Sequence, residues 1–277
     1  MAKLPQLEHL RVERRGPRLH VTLNRPEARN ALSREMVAEL IAVAEFLQKE
    51  REVGCVVLSG AGGVFCAGGD IKGFKASFDA PKPKRGKPDP IAVNNRRFGK
   101  FLSLFAALPQ TVVAVVEGAA IAGGLGLMSV ADVVLATADA KFALTETSLG
   151  IPPAQIAPFV AARIGVPKAR FLALTGARFG VREAAVLGLV DIVCDDAAAL
   201  GAALKKILAD IGRCALGANA ATKRLLLASL VTPREKLLDQ AAKSFAECLR
   251  GEEGREGVSA FLEKRNPRWA EKSGEEL

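Results

Sequence analysis

Two buried strands that each run straight into a glycine-rich loop constrain this chain more than any other feature. Cys55-Val56-Val57-Leu58 reads as one such strand, followed by Gly60–Gly69 and then Asp70-Ile71-Lys72. Val112–Val116 reads as the other; it ends at Glu117-Gly118, and Ala122-Gly123-Gly124 then opens a helix of small and apolar residues. Glycine in such turns permits positive φ and lets a ligand approach the main chain. Helices starting at Asp70 and near Gly124 would aim free N–H groups, and the positive end of the dipole, at an anion or oxyanion. Two tight turns that bind nothing fit the same spacing, so spacing alone leaves both readings open. Neither loop has the form GxGxxG, and no GK[ST] follows, which sets aside the dinucleotide and P-loop readings.

The rest of the chain frames these loops. His20–Leu23 alternates like a strand and meets a turn at Asn24-Arg25-Pro26. Asn30 or Ser33 can cap a helix running to about Lys49, with Met36, Val37, Leu40, Ile41, Ala44 and Leu47 on one stripe. Ala80–Pro90 is rich in proline and lysine and reads as an exposed, mobile loop, with a helix after it from Ile91 to Leu108. Val133–Ala136 is strand-like again. Strands alternating with helices predict an α/β architecture over residues 1–196. Beyond Asp196 the pattern turns helical over 197–211, 214–230, 234–249 and 254–264, so residues 197–277 form a helical C-terminal region.

Composition narrows the chemistry. The five cysteines lie far apart without a CxxC pair and read as reduced core thiols, with neither a disulfide frame nor a metal site. There are two histidines, His9 and His20, and no tyrosine, which leaves carboxylates, lysines, thiols and backbone groups to act. A net charge of +9 suits an anionic partner, either nucleic acid or a phosphate-bearing small molecule. No nucleic-acid motif is present and a single Trp makes a poor stacking platform, so nucleic acid is the weaker reading. The longest apolar passage, Thr111–Val134, is broken by Glu117 and Asp132, and the N-terminus lacks an apolar run. The expectation is a soluble, cytoplasmic protein with no membrane span.

At this point the motifs resemble a known family. Leu23-Asn24-Arg25-Pro26 with Asn30-Ala31-Leu32, Phe65-Cys66-Ala67-Gly68-Gly69-Asp70-Ile71-Lys72, Gly118-Ala119-Ala120-Ile121-Ala122-Gly123-Gly124, Leu174-Thr175-Gly176 with Gly188-Leu189-Val190, and Ala260-Phe261-Leu262-Glu263-Lys264-Arg265 follow the order of the crotonase (enoyl-CoA hydratase/isomerase) superfamily over nearly the whole chain. The resemblance implies a spiral of ββα units with C-terminal helices that trimerise, as a homotrimer or hexamer. It also implies an acyl-CoA thioester as substrate, with coenzyme A entering as part of it and no metal or redox cofactor. Carried over by position, the oxyanion-hole amides fall on Gly69 and Gly123. Ala67, Asp70 and Ile71 would line the thioester path with Gly118 nearby, and Ala28 would lie by the nucleotide. Lys72 could face phosphates, and Phe261 with Lys264 could close over the adenine end, from a neighbouring subunit if not from this one. A solvated surface lysine is the plain alternative for Lys72 and Lys264.

The family's hydratases usually carry two glutamates. The second position matches Glu146, which could exchange a proton with substrate or water; its plain alternative is a first-turn glutamate favoured by the helix dipole. The first position is Gly126, which puts a two-glutamate mechanism in doubt and suggests a volume left empty, filled by water or occupied by part of a larger substrate. Glu146–Val160 resembles the branch acting on 3-substituted glutaconyl-CoA esters, the methylglutaconyl-CoA and isohexenylglutaconyl-CoA hydratases. That points to hydration of a branched enoyl-CoA with Glu146 as the single base. A Δ3–Δ2 enoyl-CoA isomerase and an acyl-CoA binder that has lost turnover remain alternatives. Cys66 reads as a small buried core thiol, because neither histidine has a role beside it.

Overall fold

The structure, a computed structural model, describes residues 7–270 apart from residues 76, 79–82 and 84 and the side chains of Lys72 and Phe74. The expected loop over 80–90 therefore lies partly outside the described residues. The chain opens with a hairpin of β1 (Leu10–Arg15) and β2 (Arg18–Leu23). Next comes α1 (Arg34–Leu47), whose first turn is held by the Ser33 hydroxyl accepting from the Met36 N–H at 3.2 Å. After β3 (Cys55–Gly60) comes a five-residue α2 (Ile71–Lys75), where the sequence placed a helix starting at Asp70. Asp89 caps α3 (Pro90–Ala106), accepting from the Ile91 N–H at 2.7 Å with proline at the first helical position.

Two passes then repeat one pattern, and a third adds its short strand first and its long-sheet strand after the helix. β4 (Thr111–Val116), β5 (Ala119–Ile121) and α4 (Gly123–Ser129) make the first. β6 (Val133–Thr137), β7 (Lys141–Ala143), α5 (Ala157–Ile164) and α6 (Val166–Thr175) make the second. β8 (Arg178–Gly180), α7 (Val181–Leu187) and β9 (Ile192–Cys194) complete the third. The long strands join a six-stranded sheet in the order β1-β2-β3-β4-β6-β9, parallel after the opening hairpin, and the short ones a three-stranded sheet β5-β7-β8. Each turn of chain thus adds one strand to each sheet, which is the ββα spiral that the motifs imply. The short strands were not legible in the sequence, because three residues are too few to show a period of two.

β3 and β4 read as unbroken apolar runs because both faces of the large sheet are covered. Val56, Leu58, Val112 and Ala114 face the main core, shared with Met36 and Leu40 of α1 and Phe101 and Phe105 of α3. Cys55, Val57, Val113 and Val115 face the other way, against Leu200 and Leu208 of α8 (Ala197–Gly212). α9 (Leu216–Ala228) is tied down by Lys223, whose Nζ lies 2.6 Å from the Asp132 carboxylate and 3.2 Å from the Gln110 carbonyl. By contrast α10 (Arg234–Arg250) buries no residue, and α11 (Glu252–Leu262) buries only Ala260. Among the described residues no helix is long and apolar enough to cross a membrane.

Candidate active site

The two glycine loops meet, and their glycines have separate jobs. Cys66 forms a ladder with the second loop: its N–H donates to the Ala119 carbonyl at 2.9 Å, and its carbonyl accepts from Ile121 at 3.0 Å. Gly68 has φ +104, and a Cβ there would lie 2.9 Å from the Ile121 carbonyl oxygen. A Cβ at Gly124 would stand 2.5 Å from the Cys66 carbonyl oxygen and 2.7 Å from its Cβ. These two positions are bare so that the loops can touch. Asn30, fully buried, clamps the first loop by donating to the carbonyls of Ala61 (2.9 Å) and Val64 (2.6 Å) and accepting from the Arg25 N–H at 2.9 Å.

Gly69 and Gly123 are the other pair. Leu32 donates to the Gly68 carbonyl at 2.8 Å and accepts from the Asp70 N–H at 3.3 Å, a parallel bridge around Gly69. That bridge uses the groups on either side of Gly69, so its own N–H points away from Leu32. Gly123 is the first residue of α4, where an N–H has no acceptor within the helix. A Cβ on Gly123 would lie 3.5 Å from the Gly69 nitrogen, so the two donors are close neighbours on one cavity wall. Ala122, between β5 and α4, has φ +49 and ψ −115, a conformation costing a non-glycine residue about 1–3 kcal/mol. Its N–H bonded to the Ala143 carbonyl at 2.8 Å and its carbonyl accepting from Gly126 at 3.0 Å hold that turn in place.

The cavity has a volume of about 480 Å³ and is lined by Ala67, Gly69, Asp70, Ile71, Gly123 and Glu146, among others. Glu146 begins a single 3-10 turn after β7 and is 8% exposed. Burial raises its carboxyl above the ordinary carboxylate value, against a weaker pull from the backbone N–H groups of Glu146 and Thr145. Its Oε2 has no hydrogen-bond partner among the described residues. A carboxyl of this kind, in the same cavity as the Gly69 and Gly123 amides, can move a proton beside a polarised carbonyl. Burial pushes the Cys66 thiol up to about 12, which keeps it protonated.

Gly126 does not leave open space. A Cβ there would lie 2.8 Å from Cγ2 and 2.9 Å from Cγ1 of Ile156, so the isoleucine fills the notch, and the expectation of an empty, wet or substrate-filled volume is corrected. Ile156 itself lines the cavity. Its neighbour Gln155 sits the same way over α3: a Cβ at Gly99 would fall 1.9 Å from Gln155 Oε1. These wall residues, with Asn94, Arg97 and Phe98 of α3, were missed in the sequence. Single glycines inside two helical patterns were the signal available, since an interior glycine usually has a packing reason.

Other positions fall elsewhere. Asp70 lines the cavity, and its carboxylate lies 3.4 Å from the Arg25 guanidinium. Ala28 is half-buried in a short turn and is not part of the cavity lining. Gly118 has φ +62 and a Cβ there would lie 2.3 Å from the Gly63 carbonyl oxygen, so its place is a loop contact outside the cavity. Phe261 is 83% exposed and Lys264 follows the end of α11, and neither lines the cavity of its own chain. The side chain of Lys72 is outside the described residues.

Comparison with known proteins places this arrangement. The family model described as enoyl-CoA hydratase/isomerase matches residues 18–272. The chain is 32% identical to enoyl-CoA hydratase EchA19 of Mycobacterium tuberculosis, over 92% of this chain and 94% of that protein. Among solved structures, Pseudomonas aeruginosa AtuE is 51% identical with a TM-score of 0.91, covering 95% of this chain and 100% of that one. An enoyl-CoA hydratase/isomerase from Marinobacter aquaeolei is 44% identical, also with a TM-score of 0.91, covering 95% and 99%. The α/β crotonase fold and the match along nearly the whole chain make this protein an acyl-CoA enzyme of the enoyl-CoA hydratase/isomerase family.

Proposed function

We propose that the protein hydrates a branched, 3-substituted glutaconyl-type enoyl-CoA, with Glu146 as its single base and the Gly69 and Gly123 amides as an oxyanion hole. The observation that carries this reading is the pairing of Gly126 with Ile156. It leaves Glu146 as the buried carboxyl in the cavity that the two glycines line, because Asp70 is paired with Arg25 and Glu35 is exposed. In this mechanism the thioester oxygen accepts from both amides. Glu146 takes a proton from water as the water oxygen bonds to C3, the C2–C3 π electrons move toward the thioester as an enolate, and the protonated Glu146 returns the proton to C2. Water is consumed and the carboxylate is regenerated. Its raised proton affinity suits a group that must both accept and release.

A second reading draws on the same isoleucine. An aliphatic group where another carboxylate would hold water favours Δ3–Δ2 isomerisation, in which Glu146 carries a proton between C2 and C4. Turnover of 3-methylglutaconyl-CoA, crotonyl-CoA and a 3-enoyl-CoA in ¹⁸O-labelled water separates the two. Hydration predicts label in the product and a kcat/KM at least about tenfold higher for the glutaconyl ester than for crotonyl-CoA. Migration of the double bond with no label in any product would replace hydration with isomerisation.

We further propose assembly as a homotrimer or hexamer through the C-terminal helices. Support comes from Leu238, Phe245 and Leu249 on α10, and from Phe261 and Leu262 on α11, all exposed in the single chain. A monomer by light scattering at micromolar concentration would refute this.

A further inference from the structure

We propose that Arg97 and Asn94 of α3, together with Gln155 of the opposite wall, form a subsite for a carboxylate at the far end of the acyl group. The pocket would then select thioesters of dicarboxylic acids. This inference rests on the reading above, and names the residues that would recognise the substrate class.

Position is the first argument. Phe98 follows Arg97 directly, and its ring Cζ lies 3.5 Å from where a Cβ of Gly123 would be. Gly99 follows in turn, with the Gln155 amide over its bare Cα. Phe98 and Gly99 therefore face the reacting end of the cavity, between an amide donor on one side and the Gln155–Ile156 wall on the other, and Arg97 lines the same cavity while exposed to solvent. Asn94 lies one turn before Phe98 and so shares its face.

Unused bonding capacity is the second argument. Asn94, Arg97 and Gln155 all line the cavity, and none has a hydrogen-bond or ion-pair partner among the described residues. Asn94 and Gln155 are half-buried, so each keeps a polar amide against the cavity with nothing from the protein to meet it. An arginine fork flanked by two amide NH₂ groups matches the acceptors of a carboxylate.

Charge is the third. α3 contains Arg96, Arg97 and Lys100 and no acidic residue within its length. Lys100 is engaged by Glu45 at 3.4 Å, and the capping Asp89 is committed to the Ile91 N–H. The acids of the lining, Glu35, Asp70 and Glu146, belong to other elements; Asp70 is paired with Arg25, and Glu146 is the buried base of the reading above. A second negative charge on the acyl group thus meets an uncompensated cation here.

The test uses glutaryl-CoA and pentanoyl-CoA, unreactive esters of equal chain length that differ by a terminal carboxylate against a methyl group. Binding is measured by calorimetry on the full chain and on Arg97→Gln, Arg97→Lys and Asn94→Ala. The wild-type protein should bind glutaryl-CoA about tenfold or more tightly than pentanoyl-CoA. Arg97→Gln should bring that ratio below about twofold without changing pentanoyl-CoA affinity, Arg97→Lys should keep part of the preference, and Asn94→Ala should lower it by a smaller factor. No preference in the wild type, or equal weakening of both esters by Arg97→Gln, as a phosphate contact would give, overturns the subsite. An Arg97-dependent preference without label entering 3-methylglutaconyl-CoA leaves the subsite standing and removes hydration. Hydration without that preference does the reverse.

Discussion

The two sides of the cavity are built on different principles. On one side, the glycine loops between β3 and α2 and between β5 and α4 present main-chain donors, and bare Cα atoms at Gly68 and Gly124 let the loops touch. On the other side, Gln155 and Ile156 press side chains into notches at Gly99 and Gly126 on two separate helices. The first side positions backbone, so a side chain added there has nowhere to go. The second side positions side chains, so it can change by exchanging one for another. Conserving a reaction step and varying the group it acts on would require one region of each kind.

Breaking the first side should have the largest effect. Gly124→Ala would set a Cβ against the carbonyl oxygen and Cβ of Cys66, neither of which can rotate away, and should cost about 3 kcal/mol of stability in denaturant unfolding. Unchanged stability would mean the loops part more easily than their contacts suggest.

Glu146→Gln comes next. It should lower kcat by about 100-fold or more with little change in ester affinity, and a variant keeping over half of wild-type kcat would remove Glu146 as the base. In the wild type, kcat/KM should fall on the acid side at a pH above the ordinary carboxylate value, because the base is lost as pH drops through a raised pKa. The same shift has a stability sign. The folded state holds this proton to higher pH than the unfolded chain, so stability declines as pH rises between the two values and stays lower at neutral pH. Glu146→Gln removes that loss and should raise Tm at pH 7, on the order of 2 °C; a lower Tm would mean that the carboxylate is better solvated than its burial indicates.

The smallest effect sharpens the other side. Gly126→Ala should cost about 1–2 kcal/mol through its collision with Ile156. In the double variant with Ile156→Ala the two losses should fall short of additive, because the second change makes room for the first. Strict additivity would show that the notch and the isoleucine are energetically independent.

The same contrast explains what could be read from the sequence. The glycine loops, the α8–α11 helices and the start of α1, narrowed to Asn30 or Ser33, were legible because each depends on neighbours within a few residues. Gly69, Gly123 and Glu146 came from motif resemblance, and the cavity brings all three together. Ile156 over Gly126 was not legible, since thirty positions of chain separate two residues whose fit exists only after α4 and the 150–156 segment pack. Asn94 and Arg97 were hidden for the same reason: on paper they are two polar residues of an amphipathic helix, and only the packing of α3 turns them toward the cavity.

Cys66 carries a kinetic consequence. It is wholly buried at the seam of the two loops, and its thiol stays protonated far above neutral pH. An alkylating reagent needs both access and thiolate, and gains neither until the seam opens. When opening and closing are fast compared with reaction, the labelling rate of this one sulfur therefore measures how much of the time the paired amides are apart. A bound thioester that bridges both loops would have to slow that clock, even though it never touches the sulfur.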